Sequence, residues 1–130
     1  MSTQGYMYDD SFVADSAILQ YRVVVASDVR GHAKVPAAQD AAEIIGVTQH
    51  STSASGDTVL VRRAGITKVT VGTSTVTIGV PLRVWDIRGI AAEQQDAWAS
   101  GDGVLGYAEE ASSASGDIIE CWLAIRQLLA

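Results

Sequence analysis

The chain contains no asparagine, one cysteine, one phenylalanine, two prolines, two histidines and two lysines among 130 residues. Each scarcity removes a class of explanation. Without Asn there is no N-glycosylation acceptor and no Asn-Gly hairpin turn. With Cys121 alone there is no intramolecular disulfide, and a Cys-based metal site would need other chains. Its neighbours Ile119, Trp122 and Leu123 predict a buried thiol. Only Lys34 and Lys68 accompany seven arginines, so fifteen acids outweigh nine bases and the formal net charge is −6. Such a chain has no electrostatic reason to bind nucleic acid or an anionic membrane. No stretch approaches the ~20 apolar residues of a membrane span, and the N-terminal MSTQGYMYDDSF lacks a basic flank and an apolar core, so a soluble protein without a signal peptide is expected.

What the chain does have is small apolar residues, mainly Ala and Val, within a 48% hydrophobic composition, and twelve glycines to turn it. It also has an internal repeat. Residues 45–57, IGVTQHSTSASGD, align with residues 105–117, LGYAEEASSASGD, at an offset of 60. Upstream, Asp28-Val29-Arg30-Gly31-His32-Ala33 aligns with Asp86-Ile87-Arg88-Gly89-Ile90-Ala91 at an offset of 58. Two ordered matches at nearly one offset point to a duplicated unit. The copies are read as about 18–65 and 80–124, within a domain spanning 18–130.

Each copy reads as β structure. Tyr21 to Ala26 and Leu82 to Trp85 are β-branched or apolar runs. Asp28 and Gly31, and Asp86 and Gly89, then form turns in which the carboxylate caps and the glycine takes positive φ. Short strands follow at 32–35 and 90–92, then linkers at 36–42 and 93–103, then strands at 44–49 and 104–109. The loops ending Gly56-Asp57 and Gly116-Asp117 lead into strands at 58–62 and 118–122, the aspartates being read as Asx turns. Gly46 and Gly106 open the aligned loop segments. Residues 66–71 alternate strictly, and 73–78 continue that run, giving nine or ten strands in all. The fold class predicted is all-β, a small barrel or sandwich. Residues 91–99 could instead form a helical turn, and 123–130 a final strand through Ile125 or a helix.

Residues 1–17 fit neither copy and read as an extended arm. Tyr6, Met7, Tyr8 and Phe12 alternate there with Asp9, Asp10 and Asp15 and would need a surface to dock on.

The search for chemistry returns no catalytic, cofactor-binding or metal-binding set, and no enzyme is expected. His32 aligns with Ile90 and His50 with Glu110, which marks the first as structural and the second as solvated. The loop serines 51–55 and 112–115 recur turn for turn, as a structural corner does and a catalytic site rarely does. Neighbouring acids such as Glu109-Glu110 point to opposite sides of a strand. Arg62-Arg63 reads as a solvated strand end. Trp85 and Trp122 lie in strand patterns and are expected in the core, with Trp98 exposed.

The pieces Ile45-Gly46-Val47, Gly56-Asp57-Thr58-Val59-Leu60-Val61, Gly65, Pro81-Leu82-Arg83-Val84-Trp85-Asp86, Leu105-Gly106 and Gly116-Asp117-Ile118-Ile119 follow one another in a distinctive order. Across residues 18–124 this layout resembles the capsid cement, or head decoration, proteins of tailed bacteriophages. It departs from them in the longer segment 93–103 and in the aromatic-acidic arm. The resemblance implies a small β-barrel on the outer surface of an expanded phage capsid, made in the host bacterial cytoplasm. It further implies a homo-oligomer, usually a trimer, that bridges neighbouring major capsid protein subunits without nucleic acid, membrane or cofactor. The arm, through Tyr6, Met7, Tyr8 and Phe12, would lie along a capsid subunit or an adjacent copy. Two other readings remain open from the residues: a carbohydrate-binding β module with a tryptophan platform, and another virion part such as a head–tail completion or tail-tube protein.

Overall fold

A computed structural model describes residues 7–39, 41–72, 75–93 and 102–127. Among them are nine strands and no helix: β1 (Tyr8–Ala14), β2 (Val23–Ala26), β3 (His32–Lys34), β4 (Ile44–Thr48), β5 (Thr58–Thr70), β6 (Pro81–Val84), β7 (Ala91–Glu93), β8 (Gly103–Ala108) and β9 (Ile118–Gln127). The all-β expectation holds. The strands run in the order β1-β3-β2-β4-β5-β9-β8-β6-β7, and β1 also pairs with β5. That last pairing closes β1, β3, β2, β4 and β5 into a five-stranded barrel, which removes its open edges.

The remaining strands reproduce the same ring. In the first half β1 lies antiparallel to β5, with Asp9 opposite Arg62 and Val13 opposite Thr58. In the second half the far end of β5 lies antiparallel to β9, with Ile66 opposite Trp122 and Thr70 opposite Ile118. Val23 opposite Val47 on β2–β4 recurs as Pro81 opposite Tyr107 on β6–β8. Val47 opposite Arg62 recurs as Tyr107 opposite Trp122. The parallel closure of Ala14 on Ala33 recurs as Val71 on Ala91. Strand β5 therefore serves twice: residues 58–64 end the first ring, and residues 65–70, continued by Val71, begin the second.

This corrects the sequence reading of the N-terminus. Residues 8–14 form a full strand of the first barrel rather than an arm beside it, and they have a counterpart in 65–71, which the sequence placed between the copies. Backbone pairing requires only extended chain and alternate burial, so Phe12 and Ala14 can match Val69 and Val71 without resembling them. The tail of the alternating run also differs from expectation. Val76 makes an isolated bridge to Ser112 and residues 78–79 turn, while 73–74 lie outside the described residues. Residues 91–93 are strand, and 94–99 lie outside the described residues. Strand β9 runs through Gln127, two residues beyond the expected end at Ile125.

The loops carry the duplication in atomic detail. Asp57 Oδ2 accepts from the backbone N–H of Ser53 and Ala54, both at 3.0 Å. Asp117 Oδ2 accepts from Ser113 and Ala114 at 3.2 and 3.1 Å. The carboxylates thus tie back to residues before them instead of forming the Asx turns expected. At the other corner, Asp86 Oδ1 does accept from Arg88 N at 2.8 Å, as read, while in the first copy the Ser27 hydroxyl takes Val29 N at 3.2 Å. Gly46 and Gly106 are required by close approach. A Cβ there would stand 2.1 Å from Arg62 O and 2.0 Å from Trp122 O respectively.

Two cores fill the rings. Ala14, Ile18, Val24, Ala33, Val59 and Val61 fill the first, with Phe12, Val35 and Ile45 against them. Their counterparts Val71, Val76, Leu82, Ala91, Ile119 and Cys121 fill the second. That second core continues into Val23, Val25, Ile44 and Val47, which alternate with Val24 and Ile45 along β2 and β4. The outer face of β2 and β4 in the first ring is therefore roofed by the second. The Cys121 thiol lies fully inside, and burial pushes its pKa up to about 12, so it is inert as a nucleophile.

Candidate partner-binding surfaces

Both rings are filled mainly by Val, Leu, Ile and Ala, so the described residues that can meet another molecule are those of the loops and outer strand faces. Among the described residues no group of three or more His, Cys, Asp or Glu is placed to hold a metal ion, and no helix is long and apolar enough to cross a membrane.

One polar cluster stands out. Asp15 accepts from the Ser27 hydroxyl at 2.5 Å and meets His32 Nδ1 at 2.7 Å. The Ser27 bond and then His32 hold the Asp15 carboxyl below the usual carboxylate range. The aspartate sits between the serine and the histidine, so the histidine is not placed to take the serine proton, and this is not a nucleophilic triad. The cluster ties β3 to the chain leaving β1, where the first barrel closes. His32 is thus structural, as its alignment with Ile90 implied, but hydrogen-bonded and partly exposed rather than apolar. His50 is exposed, and its Nε2 accepts from Leu60 N at 3.1 Å.

The N-terminal candidates form the outer edge of the first ring. Met7 is 58% exposed and Tyr8 41% exposed. Phe12 is half-buried against the first core, with the Arg63 guanidinium 5.7 Å from its ring centre. Arg63 Nη1 also lies 3.6 Å from Asp10 Oδ2, and the Tyr8 hydroxyl donates to that oxygen at 3.4 Å. Tyr6 lies outside the described residues. Phe12 is therefore mainly a core residue, and Met7 and Tyr8 are the exposed described members of the expected contact set.

The second surface was missed in the sequence. Trp122, expected in the core, is 55% exposed on the outer face of β9. Its cross-strand neighbours are Ile66 and Tyr107. The Tyr107 and Trp122 rings are tilted at 48° with centres 6.4 Å apart, and the Tyr107 hydroxyl accepts from Arg126 Nη2 at 2.8 Å. Ile66 and Ile118 are exposed on the same strip, and Glu120 lies between Ile118 and Trp122. The alternation of burial along β9 puts Ile119, Cys121 and Leu123 inside and Ile118, Glu120 and Trp122 outside. Both sets are rich in apolar residues, which hid the outward one.

In the first ring the corresponding triplet is Val47, Arg62 and Asp9. Arg62 Nε and Nη2 clasp the two Asp9 oxygens at 2.7 and 3.1 Å. The Asp9 hydrogen bond raises the Arg62 pKa above its ordinary value. Arg62 is thus a paired, half-buried side chain rather than the solvated strand end expected. Trp85 is half-exposed, with Arg83 5.4 Å from its ring centre, and Trp98 lies outside the described residues.

The chain thus forms a doubled five-stranded ring with filled cores. It is similar to a solved phage protein, described as the head fiber gp8.5 N base of bacteriophage phi29, with a TM-score of 0.68 and 22% identity over 96% of this chain and 99% of that one. No protein-family model matches the sequence, and no curated protein matches it.

Proposed function

We propose that this chain is a structural protein of a bacteriophage head. It binds the outer surface of the expanded capsid as a homotrimer and bridges neighbouring major capsid subunits. The observation that supports this most directly is the fold likeness to a phage head-fiber base along nearly the whole of both chains. The resemblance of the sequence layout to head decoration proteins points the same way. The physical make-up is consistent with such a role. The cores are filled and the loops tied down. The net charge of −6 gives solubility at high local concentration. A symmetric oligomer with several modest contacts gains affinity through effective concentration.

The test is to mix the purified protein with expanded and unexpanded shells of its source particle and count bound copies by electron microscopy. Hundreds of copies on expanded shells, with greater resistance to heat, are the expected result. Six or twelve copies at one vertex would instead indicate a neck or connector part. The comparison also favours a second reading, in which the chain anchors a projecting fibre to the head. Under that reading, bound particles would show filaments continuing outward from each copy.

A further inference from the structure

The two rings are joined head to tail; on the second ring the equivalents of Val25 and Ile44, Arg83 and Val104, are buried, and the exposed part of the matching face is at Tyr107 and Trp122. The first ring receives the second on the outer side of β2, β4 and β5. There Val23, Val25, Ile44 and Val47 are buried in the second ring's core beside Val69, Leu105 and Leu123. Polar bonds fix the seat. Val23 N donates to Gly89 O at 2.6 Å, Thr70 N to Tyr21 O at 2.9 Å, and Gln49 Nε2 to Thr67 Oγ1 at 2.8 Å. Arg62 Nη1 donates to Ile66 O at 3.1 Å.

The strand ladders identify the same face on the second ring. Val47 and Arg62 become Tyr107 and Trp122. Val47 is wholly buried, whereas Trp122 is more than half exposed and Tyr107 partly so. The ladders also identify the inserting side on the first ring. Thr67 and Val69, which enter the joint, become Asp10 and Phe12. There Phe12 is half-buried under Arg63, and Tyr8 and Met7 stand exposed at the end of the same strand.

We propose that a second copy of this chain docks head to tail, setting the Met7–Tyr8–Phe12–Arg63 edge of one copy on the Tyr107–Trp122 face of the next. This continues the joint that already exists between the two rings. The side chains suit it. Tyr, Trp and Arg are the residues that most often dominate protein interfaces. The cationic Arg63 would approach an aromatic face flanked by the carboxylate of Glu120. A heterologous contact of this kind closes into a ring when the rotation allows, which is the form a trimer takes. The inference rests on the homo-oligomer within the proposed function and supplies its contact surfaces.

The experiment uses the full chain and two blocked variants, Trp122→Asp and Tyr8→Asp, with far-UV circular dichroism and thermal unfolding to establish that each is folded. Trp122→Gln serves as a milder second variant. By size-exclusion chromatography with light scattering, the wild type should be oligomeric. Each Asp variant alone should be monomeric, with association weakened at least about 30-fold, as for loss of a central hot-spot residue. Mixed one to one, the two variants should form a heterodimer that grows no further, because one intact face remains on each. A monomeric wild type, an Asp variant that associates as well as wild type, or a mixture that stays monomeric overturns the proposal. Failure of the virion reading is separate: an oligomer that ignores shells keeps this interface, and a monomer that decorates shells loses it.

Discussion

The two rings share a ladder and differ in what they place at equivalent positions. Where the first ring has Asp15, Ser27 and His32 tied by hydrogen bonds, the second has Gly72, Trp85 and Ile90. A Cβ on Gly72 would stand 2.3 Å from Ile90 Cδ1 and 2.7 Å from Trp85 Cδ1, so the glycine is what lets these side chains close over the strand. One ring is fastened at this corner by a carboxylate and the other by packing. Where the first ring has the Asp9–Arg62 clasp, the second exposes Ile66 and Trp122. The lesson is that the backbone pattern sets the fold and tolerates either chemistry, so outward positions are free to acquire a binding role. The second ring places exposed Ile66 and Trp122 on its outer face, and the first places exposed Met7 and Tyr8 at its N-terminal edge.

The comparison breaks most severely at the positions the two rings share. Gly46→Ala and Gly106→Ala each drive a methyl into a backbone carbonyl of the neighbouring strand, not into a movable side chain. Each should cost about 3 kcal/mol or more, at the upper end of overpacking penalties. Chemical denaturation would read the loss. If one substitution were neutral, the equivalence of the two close strand approaches would fail.

A smaller effect is expected where the rings differ. The Asp9–Arg62 pair is bidentate and three-quarters shielded from solvent, so it should exceed a typical surface pair. A double-mutant cycle with Asp9→Asn and Arg62→Gln should return a coupling of about 1 kcal/mol. The same cycle between Ile66→Ala and Trp122→Ala, at the equivalent site, should return less, because both side chains are exposed. Equal couplings would mean that the exposed pair is as much a structural clasp as the ionic one.

Acid titration sharpens the loop comparison. The backbone N–H groups of Ser53 and Ala54 hold the Asp57 carboxyl below its ordinary range. A depressed folded pKa contributes stability that is fully present above the unfolded value of about 3.9 and is lost as pH falls through the folded value. Asp57→Asn should therefore lower the unfolding temperature at pH 7, and the gap from wild type should shrink on acidification below pH 4. A gap that stayed constant with pH would show that the loop is held by something other than the charge.

How much of this could be read from the residues follows from what each position encodes. The corners were legible, because Ser-Ala-Ser-Gly-Asp and Asp-x-Arg-Gly carry positive-φ glycines, and Asp57, Asp86 and Asp117 bond loop N–H groups, which leaves an alignable trace. The strand equivalence of 8–14 with 65–71 was not, because pairing there asks only for alternation and the two segments satisfy it with different residues. The exposure of Trp122 was hidden for a related reason. Ile118, Ile119, Trp122 and Leu123 make both faces of β9 apolar, and a period of two cannot say which face is inward when both qualify. The polar clasp at Asp9–Arg62 was invisible because its members are 53 residues apart.

The smallest expected change is the most informative about function. Trp122 stands outside both cores, so Trp122→Gln should alter the stability of the isolated monomer by no more than about 0.5 kcal/mol. A core tryptophan would cost several times that on truncation. Natural chains rarely leave a large aromatic on an outer sheet face flanked by exposed isoleucines without a partner to cover it. Denaturant unfolding at low protein concentration, where any oligomer has dissociated, separates the two cases. A near-zero change there, set beside a large loss of association at high concentration, would place the value of Trp122 in contact between molecules. A loss of 2 kcal/mol or more in the monomer would instead return Trp122 to the structural role that its strand pattern first suggested.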